Sequence, residues 1–474
     1  MLSHRVVILG RHTWFLLMLL CHILAPVHGV MHVSKDVCHR LQKVIQNASP
    51  HHLRDGFLFC YVISPPSPVA SWKLYRGGVA APFSRQPGGE GAVERQRPVR
   101  EYLSRVAERM HPENGVAVVL VSMHDLGSLP EAAHIALRKV GVPFLVFNGR
   151  EDDSRSVLIP DSYFLASKGY ADVRKRLQQM GSQQEWHIKQ TSAIWRGSTT
   201  GPPERLTPST WWMLPRLRLC LLAADPRIEG KLDAGVTSIV QASPSIKTVI
   251  EGYRIPEILP EGFPDVIYAA TNETGRHLLD DGSSSGLDDT PTEDVIEEVG
   301  PALREYDRRQ EEDIRPRASR RHAHGRDQKL RIRAERGGNI PGSLLKSHLG
   351  YEEMLAHKVL VDIDGNANSW GVFWKLHSNS VTLKVICGFR QWYYLNLMAW
   401  KHYIPVKCDM SDLVENLQWA LAVENEAKMQ LIAEESTALM SKITYTKEVK
   451  SLSWLLRSNF SFPRSRHPLI GFMV

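Results

Sequence analysis

Residues 359–376 read VLVDIDGNANSWGVFWKL, an apolar run that ends in a polar turn and continues into a short helical pattern. A second apolar run, Val381 to Val385, follows directly. Strand, turn, helix and strand in this order predict two parallel strands joined by a helix. The stretch therefore indicates an α/β fold.

An earlier part of the chain has the same pattern. Val116 to Val121 and Phe144 to Phe147 are apolar runs, and a helical pattern lies between them. A chain of 474 residues is longer than one hydrophobic core usually serves. We therefore predict two Rossmann-like domains facing a cleft. Between the two units, residues 275–342 are acidic and then basic, which is typical of a disordered insert or of a solvated helix.

The N-terminus has the pattern of a secretory signal peptide. Arg5 and Arg11 flank the start of an apolar run that extends to Val27, and Gly29 follows it. The run is short for a membrane span, although an uncleaved signal that anchors the chain in a membrane stays an alternative. Either case predicts a protein of the endoplasmic reticulum or Golgi lumen, or a secreted one.

The cysteines agree with such a compartment. Five remain after the signal peptide, so at least one is unpaired, and the absence of CxxC spacing argues against a zinc site. We expect a disulfide between Cys38 and Cys60. Glycosylation sequons that such a compartment could use stand at Asn47, Asn272 and Asn459.

The net charge of +7 favours an anionic partner. The basic residues are scattered, and no basic stripe interleaved with aromatic residues is present, so nucleic acid is not the expected partner.

Residues 195–201 read WRGSTTG. Glycine permits close approach of a backbone to a ligand, hydroxyl groups bind phosphate or sugar, and arginine presents a planar fork to phosphate. The motif fits an anionic group. A polar turn beside a buried arginine is the alternative interpretation.

The turn from Asp364 to Trp370 follows a predicted strand and precedes a helix. Such turns direct backbone N–H groups and a helix dipole at a diphosphate. Asp362 and Asp364 also have the DxD spacing that holds a divalent metal on a nucleotide sugar, or they are buried residues that cap the helix. A calcium loop is excluded, because Ala367 replaces the required glycine and Phe373 replaces the bidentate glutamate.

These motifs together resemble the CAP10-like O-glycosyltransferases, glycosyltransferase family 90. The resemblance extends over roughly residues 142 to 435 and is closest to the microbial and algal branch. Its blocks occur in family order: Trp195 to Gly201, Val361 to Asn366, Arg390 to Tyr394, Trp400 to Val406, and Asp409 to Leu413.

The resemblance implies a GT-B fold, a nucleotide-sugar donor held mainly by the C-terminal domain, and inverting transfer without a bound metal or other cofactor. The implied domains are a signal peptide (1–29), an acceptor-side domain (30–190), a donor-binding domain (191–274 and 343–441), the insert (275–342) and a C-terminal tail (442–474). The implied donor-binding residues are Arg196, Gly197, Ser198, Thr199, Arg205, Asp364, Gly365, Asn366, Ala367, Asn368, Ser369, Trp370 and Lys384.

An inverting transferase needs a carboxylate that takes the proton of the acceptor hydroxyl. Family members carry an Asp just after a strand that ends in Asn, and Phe147 to Asp152 occupies that place. The resemblance therefore assigns the role to Glu151, with Asp152 as the next candidate and a solvated acidic turn as the alternative.

One departure from the family concerns phosphate binding. Animal protein O-glucosyltransferases have an arginine two residues after the serine that matches Ser369, where this chain has Gly371. Arg196, Arg205 or Lys384 could compensate. The expected function is transfer of glucose or xylose from a UDP-sugar to a hydroxyl of a protein or glycan. The alternative is an inactive secretory protein that binds the donor or a glycan.

Overall fold

The computed structural model describes residues 35–48, 53, 57–63, 69–75, 78–80, 90–110, 116–125, 127–180, 185–201, 211–254 and 342–459. The predicted signal peptide, Arg205 and all of the predicted insert except Gly342 lie outside the described residues.

The chain has an α/β fold. The strands are β1 (Leu58–Ile63), β2 (Ala70–Tyr75), β3 (Gly78–Ala80), β4 (Ala117–Ser122), β5 (Phe144–Val146), β6 (Gly149–Arg150), β7 (Val157–Leu158), β8 (Gln190–Ser198), β9 (Leu232–Ser238), β10 (His357–Asp362), β11 (Val381–Ile386), β12 (Phe389–Arg390) and β13 (Ile404–Lys407). The helices are α1 (35–48), α2 (Glu90–Ala107), α3 (Glu131–Lys139), α4 (Ser162–Ala166), α5 (Ala171–Met180), α6 (Pro215–Leu222), α7 (Pro244–Gly252), α8 (Tyr351–Leu355), α9 (Val372–Leu376), α10 (Leu413–Leu421), α11 (Glu426–Ser441) and α12 (Tyr445–Asn459).

The first sheet has the strand order β3-β2-β1-β4-β5-β7. The predicted parallel pairing is confirmed for β4 and β5, and β7 continues it. The other half is antiparallel, which the Rossmann-like prediction did not include. Short connections between β1, β2 and β3 require this, because parallel strands need a long crossover. We call this sheet, with α1 to α4 and α12, the first lobe.

Every residue of β1 is buried, because helices cover both faces of the first sheet. Phe59 and Tyr61 pack on the face that α2 and α12 cover. Leu58 and Cys60 pack on the opposite face, against α1 and α3. This alternation follows from the two-residue period of a strand.

The second sheet has the order β13-β11-β10-β8-β9 and is parallel throughout. Strands β8 and β9 lie on one side and the later strands on the other, so the strand order reverses between β8 and β10. A doubly wound sheet binds its ligands at the carboxyl ends of the strands on either side of such a reversal. We call this sheet, with α6 to α11, the second lobe.

The chain returns to the first lobe at its end. Helix α12 packs Val449, Leu452 and Leu456 into the core beneath α2. The Tyr102 hydroxyl donates to the Glu448 carbonyl oxygen at 3.0 Å. The predicted C-terminal tail (442–474) therefore begins with a helix, whose apolar residues recur at helical spacing and complete a core.

Two disulfides brace the fold. Cys38–Cys60 joins α1 to β1 and confirms the predicted pairing. Cys387–Cys408 joins the segments that follow β11 and β13. Cys220 is a buried free thiol. Within the described ranges, no helix is both long enough and apolar enough to cross a membrane.

Candidate functional site

A cavity of about 480 Å³ lies between the two lobes, where β8 and β10 end. The first lobe and the segment after it contribute Arg95, Asp125, Tyr163 and Tyr170. The second lobe contributes Ser198, Thr200, Arg216, Tyr351, residues 365–371 and Trp374. The cavity therefore occupies the point of the second sheet at which the strand order reverses.

The turn after β10 forms one wall of the cavity. The Ser369 amide donates to the Asp364 carboxylate at 3.0 Å, and the Gly365 amide donates to the Ala367 carbonyl oxygen at 2.9 Å. A Cβ atom on residue 365 would lie 2.6 Å from the Thr200 hydroxyl oxygen and 3.0 Å from Arg216 Nη2. Only glycine fits here, so Gly365 lets the turn pack against the end of β8.

Arg216 joins the ends of the two central strands. Its guanidinium donates to the Ser198 and Asp364 carbonyl oxygens, both at 3.1 Å, and to the Thr200 hydroxyl. Burial lowers the pKa of Arg216, while Asp362 and Asp364 act in the opposite direction. The sequence analysis missed this residue. Its signal in the sequence is weak, because Arg216 is one of several arginines in the apolar stretch that follows Trp211 and Trp212.

Asp362 is neutralised by lysines. Its carboxylate lies 2.8 Å from Lys375 Nζ and 3.6 Å from Lys384 Nζ, and all three side chains are buried. Burial opposes ionisation of Asp362, but Lys375 and Lys384 hold its pKa below the ordinary value. The DxD interpretation thus lacks a free carboxylate at this position. Among the described residues no group of three or more His, Cys, Asp and Glu side chains could hold a metal.

Five predicted donor-binding residues that the structure describes do not line the cavity: Arg196, Gly197, Thr199, Asp364 and Lys384. The Arg196 side chain is only 4% exposed and contacts the Asp233 carboxylate at 2.6 Å. Thr199 is buried, and its hydroxyl donates to the Val240 carbonyl oxygen at 2.7 Å. Lys384 instead lines a second cavity, of about 260 Å³.

Gly197 and Asp364 lie outside the lining of the cavity. A Cβ atom on Gly197 would lie 2.6 Å from the Trp195 ring. Asp364 is buried and anchors the turn through Ser369. Of the predicted residues, the cavity brings together Ser198 and the six residues from Gly365 to Trp370.

The two predicted bases lie elsewhere. Glu151 lines the second cavity together with Lys384 and Tyr403, and its amide donates to the Gly388 carbonyl oxygen at 2.8 Å. The Asp152 side chain is 77% exposed. Strand β6 pairs with β12 directly after Asn148 and leads the chain past the larger cavity, which neither residue lines. The role of Glu151 or Asp152 as the base stays a prediction.

Asp125 is the carboxylate that the larger cavity contains. It follows β4, and its carboxylate lies 2.7 Å from the Arg95 guanidinium. The same guanidinium lies 5.2 Å from the centre of the Trp370 ring, so Arg95 connects the two walls of the cavity. The signal in the sequence was an Asp just after the first strand of the first βαβ unit, a common position for ligand-binding residues.

Part of this chain is similar to known glycosyltransferases. Residues 334–461 match the family model described as Glycosyl transferase family 90. The chain is 32% identical over 100 residues to Protein O-glucosyltransferase 2 of Danio rerio, covering 21% of this chain and 20% of that protein. It is 31% identical over 80 residues to Protein O-glucosyltransferase 3 of Homo sapiens, covering 17% of this chain and 16% of that protein.

The aligned parts are thus about a fifth or less of the length of these relatives. The matched region contains β10, the turn that lines the cavity, and β11. Over residues 334–461, this chain is thus similar to the glycosyltransferases of glycosyl transferase family 90.

Proposed function

We propose that this protein is an inverting glycosyltransferase that moves a sugar, glucose or xylose, from a UDP-sugar to a hydroxyl of a protein or glycan acceptor. The observation that carries the proposal is the cavity between the lobes. In it, the turn of the matched region lies beside Arg216, which is half-buried, and shares the space with one carboxylate from the first lobe. The names of the relatives favour transfer to a protein.

The donor would lie against the ends of β8 and β10, in a GT-B arrangement of the two lobes. The turn from Gly365 to Trp370 offers backbone and side-chain donors to the diphosphate, and Arg216 supplies positive charge. Arg216 would thereby neutralise the charge of the phosphates, which Gly371 cannot do. Neither Arg196 nor Lys384 is suited to it, because acidic side chains neutralise both.

The acceptor would approach from the side of Asp125. Its carboxylate takes the proton of the acceptor hydroxyl while the hydroxyl oxygen bonds to the anomeric carbon of the sugar. The bond from that carbon to the diphosphate breaks, and UDP leaves with the electron pair. Attack opposite the leaving group inverts the configuration. Arg95 keeps the carboxylate in place through their 2.7 Å contact.

The proposal includes the secretory pathway as the location. Two disulfides within the described residues fit an oxidising compartment, where such bonds persist. It also includes independence from a bound metal, since Lys375 and Lys384 occupy the neighbourhood of Asp362.

A screen of UDP-sugars by released UDP, with purified protein in EDTA, tests the function. We expect turnover with UDP-glucose or UDP-xylose and little with other donors. A folded protein that neither binds UDP nor releases it from any donor would overturn the proposal.

A second candidate is an inactive protein that binds the donor or a glycan. The observation that favours it is Gly371, which leaves the turn without the arginine of the animal relatives. Calorimetry with UDP separates the two candidates, because binding without turnover supports the second.

A further inference from the structure

Tyr170 connects the first lobe to the turn of the family domain. Its hydroxyl oxygen lies 3.2 Å from the Trp370 carbonyl oxygen and 3.3 Å from each carboxylate oxygen of Asp161. Tyr170 is 7% exposed and Asp161 is fully buried. Three acceptor oxygens therefore surround a single hydroxyl, and the two side chains are buried.

The number of protons decides which of these contacts are hydrogen bonds. A carbonyl oxygen only accepts, and a tyrosine hydroxyl has one hydrogen to donate. If Asp161 is ionised, it also only accepts, and Tyr170 bonds either the carboxylate or the carbonyl. If Asp161 is protonated, its carboxyl group donates to Tyr170, and Tyr170 donates to Trp370.

We propose that Tyr170 is a positioning residue for the donor site, and that it holds the Trp370 turn only while Asp161 carries a proton. The inference rests on the proposed function, because the donor is the ligand of that turn. It adds a regulation by pH that the transfer reaction itself does not require.

Independent features of the structure support this role. Tyr170 has a φ angle of 55°, which is unfavourable for a bulky residue and is retained where contacts hold it. Its ring stacks on Phe373, with centroids 4.7 Å apart. The Phe164 amide donates to one Asp161 oxygen at 2.8 Å, and the Tyr163 amide also donates to this carboxyl group, so Asp161 is held in place beside Tyr170.

The surroundings of Asp161 place its proton exchange near neutral pH. Burial raises the pKa of Asp161 to about 7. The charged and titratable groups that face it are Arg95 from α2, Tyr170, and Tyr393 after β12. Arg95 favours the ionised form, while burial raises the pKa of both tyrosines well above the ordinary value and keeps them neutral.

The test measures affinity for UDP-glucose by calorimetry at about pH 6 and about pH 8. UDP-glucose is used because free UDP has a terminal phosphate that itself titrates at about pH 6. We expect the wild-type protein to bind roughly fivefold more tightly at the lower pH, the factor that one hydrogen bond provides.

Two variants should give opposite results. Asp161→Asn keeps an acceptor for the Phe164 amide and donates to Tyr170 at every pH, so its affinity should match the low-pH wild type at both pH values. Tyr170→Phe cannot hold Trp370, so it should bind weakly at both. A wild-type affinity that does not change with pH, or a Tyr170→Phe protein that keeps the wild-type profile, would overturn the inference.

Hydrogen exchange of residues 363–371 gives a readout without ligand. After correction for intrinsic rates, protection should fall with pH in the wild type, stay high in Asp161→Asn and stay low in Tyr170→Phe. Equal protection in all three proteins would overturn the inference. Absence of UDP-glucose binding in every protein would instead count against the proposed function, and the exchange data would still decide on Tyr170.

Discussion

The Arg95 guanidinium lies 2.7 Å from the Asp125 carboxylate, inside the cavity that the two lobes enclose. This contact holds a negative charge at the position where an acceptor hydroxyl would lose its proton. Glu151 does not lie in this cavity, since it lines the smaller one.

Asp125→Asn should therefore abolish most transfer. We expect turnover to fall by roughly 10²- to 10⁴-fold, because an amide cannot accept the proton, while UDP affinity stays near that of the wild type. Released UDP and calorimetry measure the two quantities. Glu151→Gln and Asp152→Asn are the matched controls and should keep wild-type turnover. Loss of turnover in Glu151→Gln but not in Asp125→Asn would return the base to residue 151.

Gly365→Ala should weaken donor binding. The added Cβ would meet the Thr200 hydroxyl at 2.6 Å, so the turn must move away from Arg216. We expect UDP affinity to fall by about tenfold or more, because glycine is the residue that lets a backbone approach a ligand closely. Gly252→Ala is the control: no atom lies within 4 Å of its Cβ position, and UDP affinity should not change. Equal affinities in both variants would show that Gly365 has no part in donor binding.

Asp362→Asn should destabilise the protein. It leaves Lys375 and Lys384 buried without their nearest anion, a loss that costs about 3–5 kcal/mol of unfolding free energy. Chemical denaturation measures it, with the exposed Asp152→Asn as a control that should change the free energy by about 0.5 kcal/mol or less. Asp364→Asn tests the metal alternative: activity that depends on manganese and disappears in this variant would contradict our interpretation.

The stability of the protein should depend on Glu448. Burial raises the pKa of this residue to about 7, above its value in an unfolded chain. The folded state then binds the proton more tightly, so its stability falls as the pH rises from about 4.3 towards 7. Glu448→Gln should raise the unfolding free energy by about 1–3 kcal/mol at pH 8 and by less at pH 5. Thermal unfolding of the exposed Glu434→Gln variant, which should show no such pH difference, provides the comparison.

The second sheet was predictable from local pattern. The runs around Val359 and Val381 became β10 and β11, because strands buried on both faces are continuously apolar. Their parallel pairing followed from the helix between them. The turn at Gly365 was predictable for the same reason, since it marks a strand end.

The first lobe and the base were less predictable. The antiparallel half depends on hairpins around β1 to β3, and we did not use their turn signals, Ser64 to Pro68 and Gly77 with Gly78, for the prediction. Asn148 marks a strand end as expected, but whether Glu151 or Asp125 reaches the cavity depends on the pairing of β6 with β12, a contact between distant parts of the chain. Likewise, no local pattern reveals that Asp233 neutralises Arg196.

The return of α12 to the first lobe bears on how the chain folds during its synthesis. Domains near the N-terminus usually fold while the ribosome is still adding later residues. Here the core between α2 and the first sheet lacks Val449, Leu452 and Leu456 until residues 445–459 have been made. The core of the first lobe therefore stays incompletely packed until residue 456 has been made, and its apolar side chains stay exposed for that time.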